Sequence, residues 1–194
     1  MTRSRQTADW GSRAGLAKII PSSVAVGSGT GSADTVGNVT FSGASSVSLN
    51  GVFTSTYDNY EIIINHTCSA NASAYFRLRN AGSDYTSSTY YAGMVSYFTD
   101  TTTLYGETSA AAAQAYIGEV SDSKAFTKFS ISGALIAERK ILIGTTYRTR
   151  VTGPTGKGST FGVFVNSTST YDGFTFYPSS GTITGTMVVY GYND

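Results

Sequence analysis

The stretch Tyr60-Glu61-Ile62-Ile63-Ile64-Asn65-His66-Thr67-Cys68 decides the fold. Read with a period of two, Tyr60, Ile62, Ile64, His66 and Cys68 share one face of an extended strand. Glu61, Ile63, Asn65 and Thr67 take the other. A helix would scatter the same residues around its axis, so the pattern predicts a strand with one face on a core. Working outward, Ala74 to Arg79 sets Phe76 and Leu78 against Tyr75, Arg77 and Arg79. Tyr90 to Phe98 sets Tyr91, Gly93, Val95 and Tyr97 against Tyr90, Met94 and Phe98. Further candidates are 38–41, 46–50, 115–120, 126–132, 141–148, 160–166, 173–177 and 182–190. Roughly nine to eleven strands at this spacing predict an all-β antiparallel β-sandwich, jelly-roll-like. Single helical turns are expected at Ser109 to Tyr116, on its four alanines, and at Ala134 to Lys140.

Composition agrees. Charged residues are 13% of the 194, with 13 Lys+Arg against 12 Asp+Glu. Ser, Thr and Gly supply roughly 40% of the chain, about twice ordinary usage. Disordered chains are charge-rich and aromatic-poor, whereas this one has fourteen tyrosines and ten phenylalanines. Too little Glu, Lys and Leu is present for a coiled coil, and no apolar run reaches the length of a membrane helix. A net charge of +1 gives no general electrostatic reason to bind nucleic acid. The single cysteine, Cys68, leaves no intrachain disulfide framework.

The N-terminal end reads differently. Arg3, Arg5, Arg13 and Lys18 fall in the first twenty residues with Asp9 and the sole tryptophan, Trp10. Thr7 to Ile20 could form a short helix ending before Pro21, weakened by Gly11 and Gly15. Such an arm frays unless something ties it down, so it either docks on a partner or folds back on its own domain. Val26 to Thr35 has the Gly/Ser chemistry of a flexible linker or loop. The expected division is therefore 1–36, docking arm and linker, and 37–194, β-sandwich. Phe53 to Tyr60 and Ser167 to Phe174 echo each other: a Ser/Thr run, then Tyr-Asp, a turn residue and an aromatic. Both read as sheet corners, on neighbouring strands.

Few residues point to chemistry. A Ser-His-Asp or Cys-His hydrolase needs a base, and the one histidine, His66, lies two positions from Cys68, about 7 Å along a strand. Both read as packed core residues. The acids are scattered, and Glu119 and Asp122, the closest pair expected to share a surface, make a poor calcium site. The run 153–160 has the wrong spacing for a phosphate-binding loop and reads as a hairpin. The four N-x-S/T sequons, beginning at Asn38, Asn65, Asn71 and Asn166, follow from the Ser/Thr content. No catalytic residue, metal or cofactor is expected. Loops on a rigid β-scaffold commonly carry binding. Tyr85 with Thr86, Ser87, Ser88 and Thr89, and the 100–105 loop with Tyr105, are the candidate contact residues. For Tyr90 and Tyr91, one is expected in the core and the other in a subunit interface, with Tyr85 exposed.

Several segments resemble small β-rich structural proteins of tailed bacteriophages: Asn38 to Gly43, Val47 to Phe53, Tyr57 to Ile62, Phe76 to Arg79, Tyr90 to Gly93, and the closing Gly173 to Thr175, Gly181 to Thr186 and Val189 to Tyr192. The opening Arg3-Ser4-Arg5-Gln6-Thr7-Ala8-Asp9 resembles arms that attach phage fibres to the particle. The resemblance covers most of the chain and departs at 126–157. It implies a non-enzymatic virion protein of tail-fibre or receptor-binding type, made in the host cytoplasm. It further implies a trimer held to tail or baseplate proteins through Arg3, Arg5, Trp10 and Arg13. The β-domain would face the host surface and its glycans, without nucleic acid or membrane insertion. A capsid decoration or head-fibre protein is the alternative.

Overall fold

The computed structural model describes residues 15–149 and 155–193. Every paired strand in it is antiparallel, and the strands form two sheets packed face to face. The larger sheet contains β1 (Ala17–Lys18), β3 (Thr30–Ala33), β4 (Val39–Ala44), β6 (Asn59–Cys68), β9 (Tyr90–Phe98), β10 (Leu104–Ala112), β12 (Ala125–Ser132), β13 (Lys140–Thr149), β14 (Gly156–Val165) and β16 (Ile183–Tyr192). Its order is β10-β9-β14-β13-β12-β6-β16-β4-β3, with β1 also on β16. The smaller sheet contains β2 (Ser23–Val26), β5 (Val47–Asn50), β7 (Ala72–Asn80), β8 (Ser83–Asp84), β11 (Ala115–Val120) and β15 (Gly173–Pro178). Its order is β11-β7-β15-β5-β2, with β8 on β7. From β4 to β7 the chain changes sheet at each connection, as jelly rolls do.

The alternation of 60–68 appears as expected: Tyr60, Ile62, Ile64, His66 and Cys68 are buried, and their neighbours are not. Phe129 of β12 meets Phe76 of β7 edge-on, with centroids 5.1 Å apart, and Phe174 of β15 at 6.5 Å. These three rings join the two layers at the centre of the core.

Several expectations are corrected. Half of the linker expected at 26–35 is strand: Val26 ends β2, and Thr30–Ala33 is β3. β2 pairs with β5, and β3 with β4 in register Gly31↔Phe41. Residues 17–33 thus belong to the sandwich, and the expected boundary at 36 falls inside it. Of the helix expected to end at Ile20, Ala17–Lys18 is strand on β16 and Ile19 is buried. Ser109 to Tyr116 is no helix either. It ends β10, passes Ala111 with φ 49°, and begins β11. Residues 134–138 form a turn in which the Ile136 amide donates to the Gly133 carbonyl. The two Tyr-Asp corners open β6 and β15, which face each other across the core instead of pairing. They lie at the same end, since the Val52 and Phe53 amides both donate to the Asp172 carbonyl.

Candidate functional site

The arm residues Arg3, Arg5, Trp10 and Arg13 lie outside the described residues. The structure places the remaining candidates at opposite ends of the sandwich. Tyr85 is half-buried, its ring 5.2 Å from Tyr171 and 6.2 Å from Tyr90. Its expected exposure is thereby corrected: the ring plugs the gap between the 85–89 and 166–172 loops, leaving Thr86, Ser87 and Ser88 outermost and Thr89 half-buried. Tyr90 is fully buried, donating to the Tyr85 carbonyl, and Tyr91 is exposed. Tyr105 pairs with Ser96, six residues along β9 from Tyr90, or about 20 Å away. It stacks edge-on against Phe98. Tyr85 and Tyr105 therefore belong to no common surface.

A concavity lies elsewhere, along β7 and β11 on the outer face of the smaller sheet. A bulge at Tyr116/Gly118 shifts the β11 register on β7, and Gly118 adopts φ 125°, where a side chain would meet Thr146. Ahead of the bulge, Tyr116 pairs with Tyr75 and Tyr75 with Tyr177, which sets the three in one outward row with centroid spacings of 6.2 and 5.6 Å. Between β7 and the β10–β11 turn lies an open groove of about 270 Å³, lined by Ser73, Tyr75, Ser109, Ala112, Gln114 and Tyr116. A second hollow, about 310 Å³, shares Ser73 and continues past Asn71, Glu119 and Ser179.

Arg77 organises one end. Its Nε donates to the Ala113 carbonyl at 3.1 Å and its Nη2 to Gln114 Oε1 at 3.0 Å, with its guanidinium 5.0 Å from the centre of the Tyr177 ring. Burial pushes the Tyr177 hydroxyl up to about 12, and no partner for that buried oxygen appears among the described residues. The other end rests on an alternating chain of charges that closes the gap between the sheets. Glu107 of β10 accepts from the Tyr116 hydroxyl at 3.0 Å and from Lys157 Nζ at 3.4 Å. Lys157 reaches Glu119 at 2.7 Å, and Arg148 Nε donates to the other Glu119 oxygen at 2.9 Å. Burial works against the Glu119 carboxylate, but the two cations outweigh it and hold its pKa below the ordinary value. Glu119, which the sequence pairs with Asp122, is thus a link between two buried cations.

No protein-family model, curated protein or solved structure matches this chain. His66 is buried against the Phe176 ring, 5.2 Å away, with Nε2 3.4 Å from Thr127 Oγ1. The Cys68 thiol instead donates to the Ser180 carbonyl at 3.6 Å. Lys140 directs its ammonium at the Ile136 and Glu138 carbonyls, which ties down the 134–138 turn. Among the described residues no three His, Cys, Asp or Glu side chains gather as a metal site would require.

Burial lowers the His66 pKa from 6.5 to about 4, so the native imidazole is neutral at neutral pH. As pH falls from 6.5 towards 4, the unfolded chain takes up a proton that the native chain refuses. Stability therefore falls on acidification, by about 3 kcal/mol at pH 4. Urea titrations across this range should show the loss in the parent protein and a clearly shallower slope in His66→Leu. Equal slopes would assign acid sensitivity to the carboxylates instead.

Proposed function

We propose that the chain is a non-enzymatic structural protein of a bacteriophage particle, of the tail-fibre or receptor-binding type. Its β-domain forms a trimer and faces the host surface. The segment before β1 docks it to a tail or baseplate protein. The strand-and-turn segments that resemble phage structural proteins support membership of the particle. The observation that supports a contact role is the open groove between Tyr75 and Tyr116. Its aromatic rings beside Ser73, Ser109 and Gln114 offer an apolar ring face together with hydrogen-bonding groups, a combination suited to a neutral polar ligand such as a surface glycan. The nearby charges are spent on one another, which fits binding better than acid–base chemistry.

Particle composition tests this reading. Quantitative mass spectrometry of purified virions should give a small multiple of three copies per particle. Deleting residues 1–14 should abolish incorporation while leaving the domain folded; the cut stops there because Ala17–Lys18 and Ile19 are part of the sandwich. Particles carrying Tyr75→Ala should keep the copy number and adsorb about tenfold more weakly. A count in the hundreds would mark a capsid decoration protein, and absence from the particle would reject both assignments.

A further inference from the structure

The outer face of the larger sheet is apolar in a way the outer face of the smaller sheet is not. On β9, Tyr91, Val95 and Tyr97 point outward and are exposed. Across β14 on β13, Ile141, Ile143 and Tyr147 do the same, with Ile143 63% exposed. Leu104 of β10, opposite Tyr97, is 67% exposed. Cross-strand pairing makes these contiguous. Phe164 of β14 lies between Tyr91 and Ile141, and Gly162 between Gly93 and Ile143. Two of the tyrosines lie flat on the sheet. The Tyr97 ring covers Gly158 so closely that a Cβ there would come within 2.4 Å of it, and the Tyr147 hydroxyl covers Gly156 equally closely. Gly93 and Gly162 have nothing within 4 Å of where a Cβ would stand, so the centre of the face is a shallow trough.

We infer that this face is the surface through which copies of the chain associate. This rests on the trimeric reading above and assigns it to specific strands. Three observations select a second copy as the occupant. First, no outward position on β10, β9, β14 or β13 carries a charged side chain; Arg139, from the turn before β13, lays its guanidinium 5.6 Å from the Phe164 ring, and on the adjoining strands Lys128 and Glu61 neutralise each other at 2.9 Å. A surface this poor in charge can meet its own copy with little repulsion, and interface cores are depleted in charge and rich in aromatics, with Arg the cation they tolerate best. Second, strands β10 to β16 along the sheet, at about 4.8 Å spacing and four outward residues deep, span about 900 Å². A standard interface takes about 800 Å² per partner. Third, the chain's own N-terminal segment is a poor match. It brings Arg3, Arg5 and Arg13 to a face whose one carboxylate, Glu61, already holds Lys128.

The test is the mass of the full-length chain in solution at micromolar concentration, by size exclusion with light scattering. The parent should be oligomeric. Ile143→Lys and Val95→Lys should each lower the mass about threefold, to that of the monomer, with an unchanged circular dichroism spectrum. A milder variant covers the chance that a lysine disturbs the fold. Ile143→Cys should be cross-linked between copies by a bismaleimide, whereas Ile136→Cys, on the 134–138 turn, should not. The native Cys68 is buried and does not interfere. A parent that stays oligomeric when either lysine is introduced would overturn this assignment and leave the trimer standing. A monomeric parent would overturn both.

Discussion

Glu119→Gln should destabilise the protein by about 3–5 kcal/mol, read as a lower urea midpoint with an unchanged slope. The substitution keeps the side chain's shape and removes only the charge, so packing changes little. The cost falls on its partners. Lys157 is 5% exposed and Arg148 only 7%, and both spend their charge on Glu119. Without the carboxylate, two buried cations lie side by side with only the more distant Glu107 to offset them. Arg148 Nη1 is buried and already lacks a partner among the described residues, so losing Glu119 adds to the unpaired donors there.

The double variant Glu119→Gln/Lys157→Met distinguishes this account from simple loss of a hydrogen bond. Removing the second charge should recover a substantial part of the loss, because a buried ion pair replaced by apolar groups often costs little. A double variant as unstable as the sum of the two single ones would mean that the chain of charges is not energetically connected. The sign against pH is also fixed. The Glu119 carboxyl titrates below its unfolded value, so its contribution is present at neutral pH and lost as pH falls through the native pKa. His66 loses stability over a higher range, between 6.5 and about 4, so the two are separable in one titration.

The sandwich itself was legible from alternation. β6 and β7 each set an apolar face against a more polar one, β9 alternates buried with exposed positions, and their cross-strand partners accept that register without conflict. Segments that failed did so where composition outvoted pattern. Thr30-Gly31-Ser32-Ala33 has linker chemistry, yet β4 supplies an unpaired edge and pairing overrides the weak propensity of small residues. Ala110 to Ala113 favours a helix, but β9 holds β10 extended up to the bulge beyond Ser109. The groove was not legible, because its walls come from β7 and β11, about forty residues apart and shifted by a bulge. The charge chain left a faint trace: Lys157 shares its parity with Phe161, Val163 and Val165, so it had to face the core. The apolar outer face was also readable in Ile141-Leu142-Ile143, where both faces of one strand are apolar.

Phe129→Ala should be the most damaging change in the core, costing about 3–5 kcal/mol. The ring is 1% exposed and is the large-sheet member of the cluster that joins the layers, facing Phe76 and Phe174 across the core and Phe161 within its own sheet. Its backbone neighbourhood cannot collapse to fill the vacancy. Gly144 is already so close that a Cβ there would lie 2.3 Å from the Phe129 Cβ and 2.5 Å from the Lys128 carbonyl, so β12 and β13 have no slack. Phe126, three residues earlier on the same strand, supplies the control. It points to the outer face and is only half-buried, and Phe126→Ala should cost about 1 kcal/mol or less in the monomer. If the two variants proved equally destabilising, the inward–outward alternation of β12, and with it the register of the strands paired to it, would be wrong. If Phe129→Ala alone is severe, both layers depend on one ring stack, and the parity first read in Tyr60 to Cys68 extends through β12 as the pairing requires.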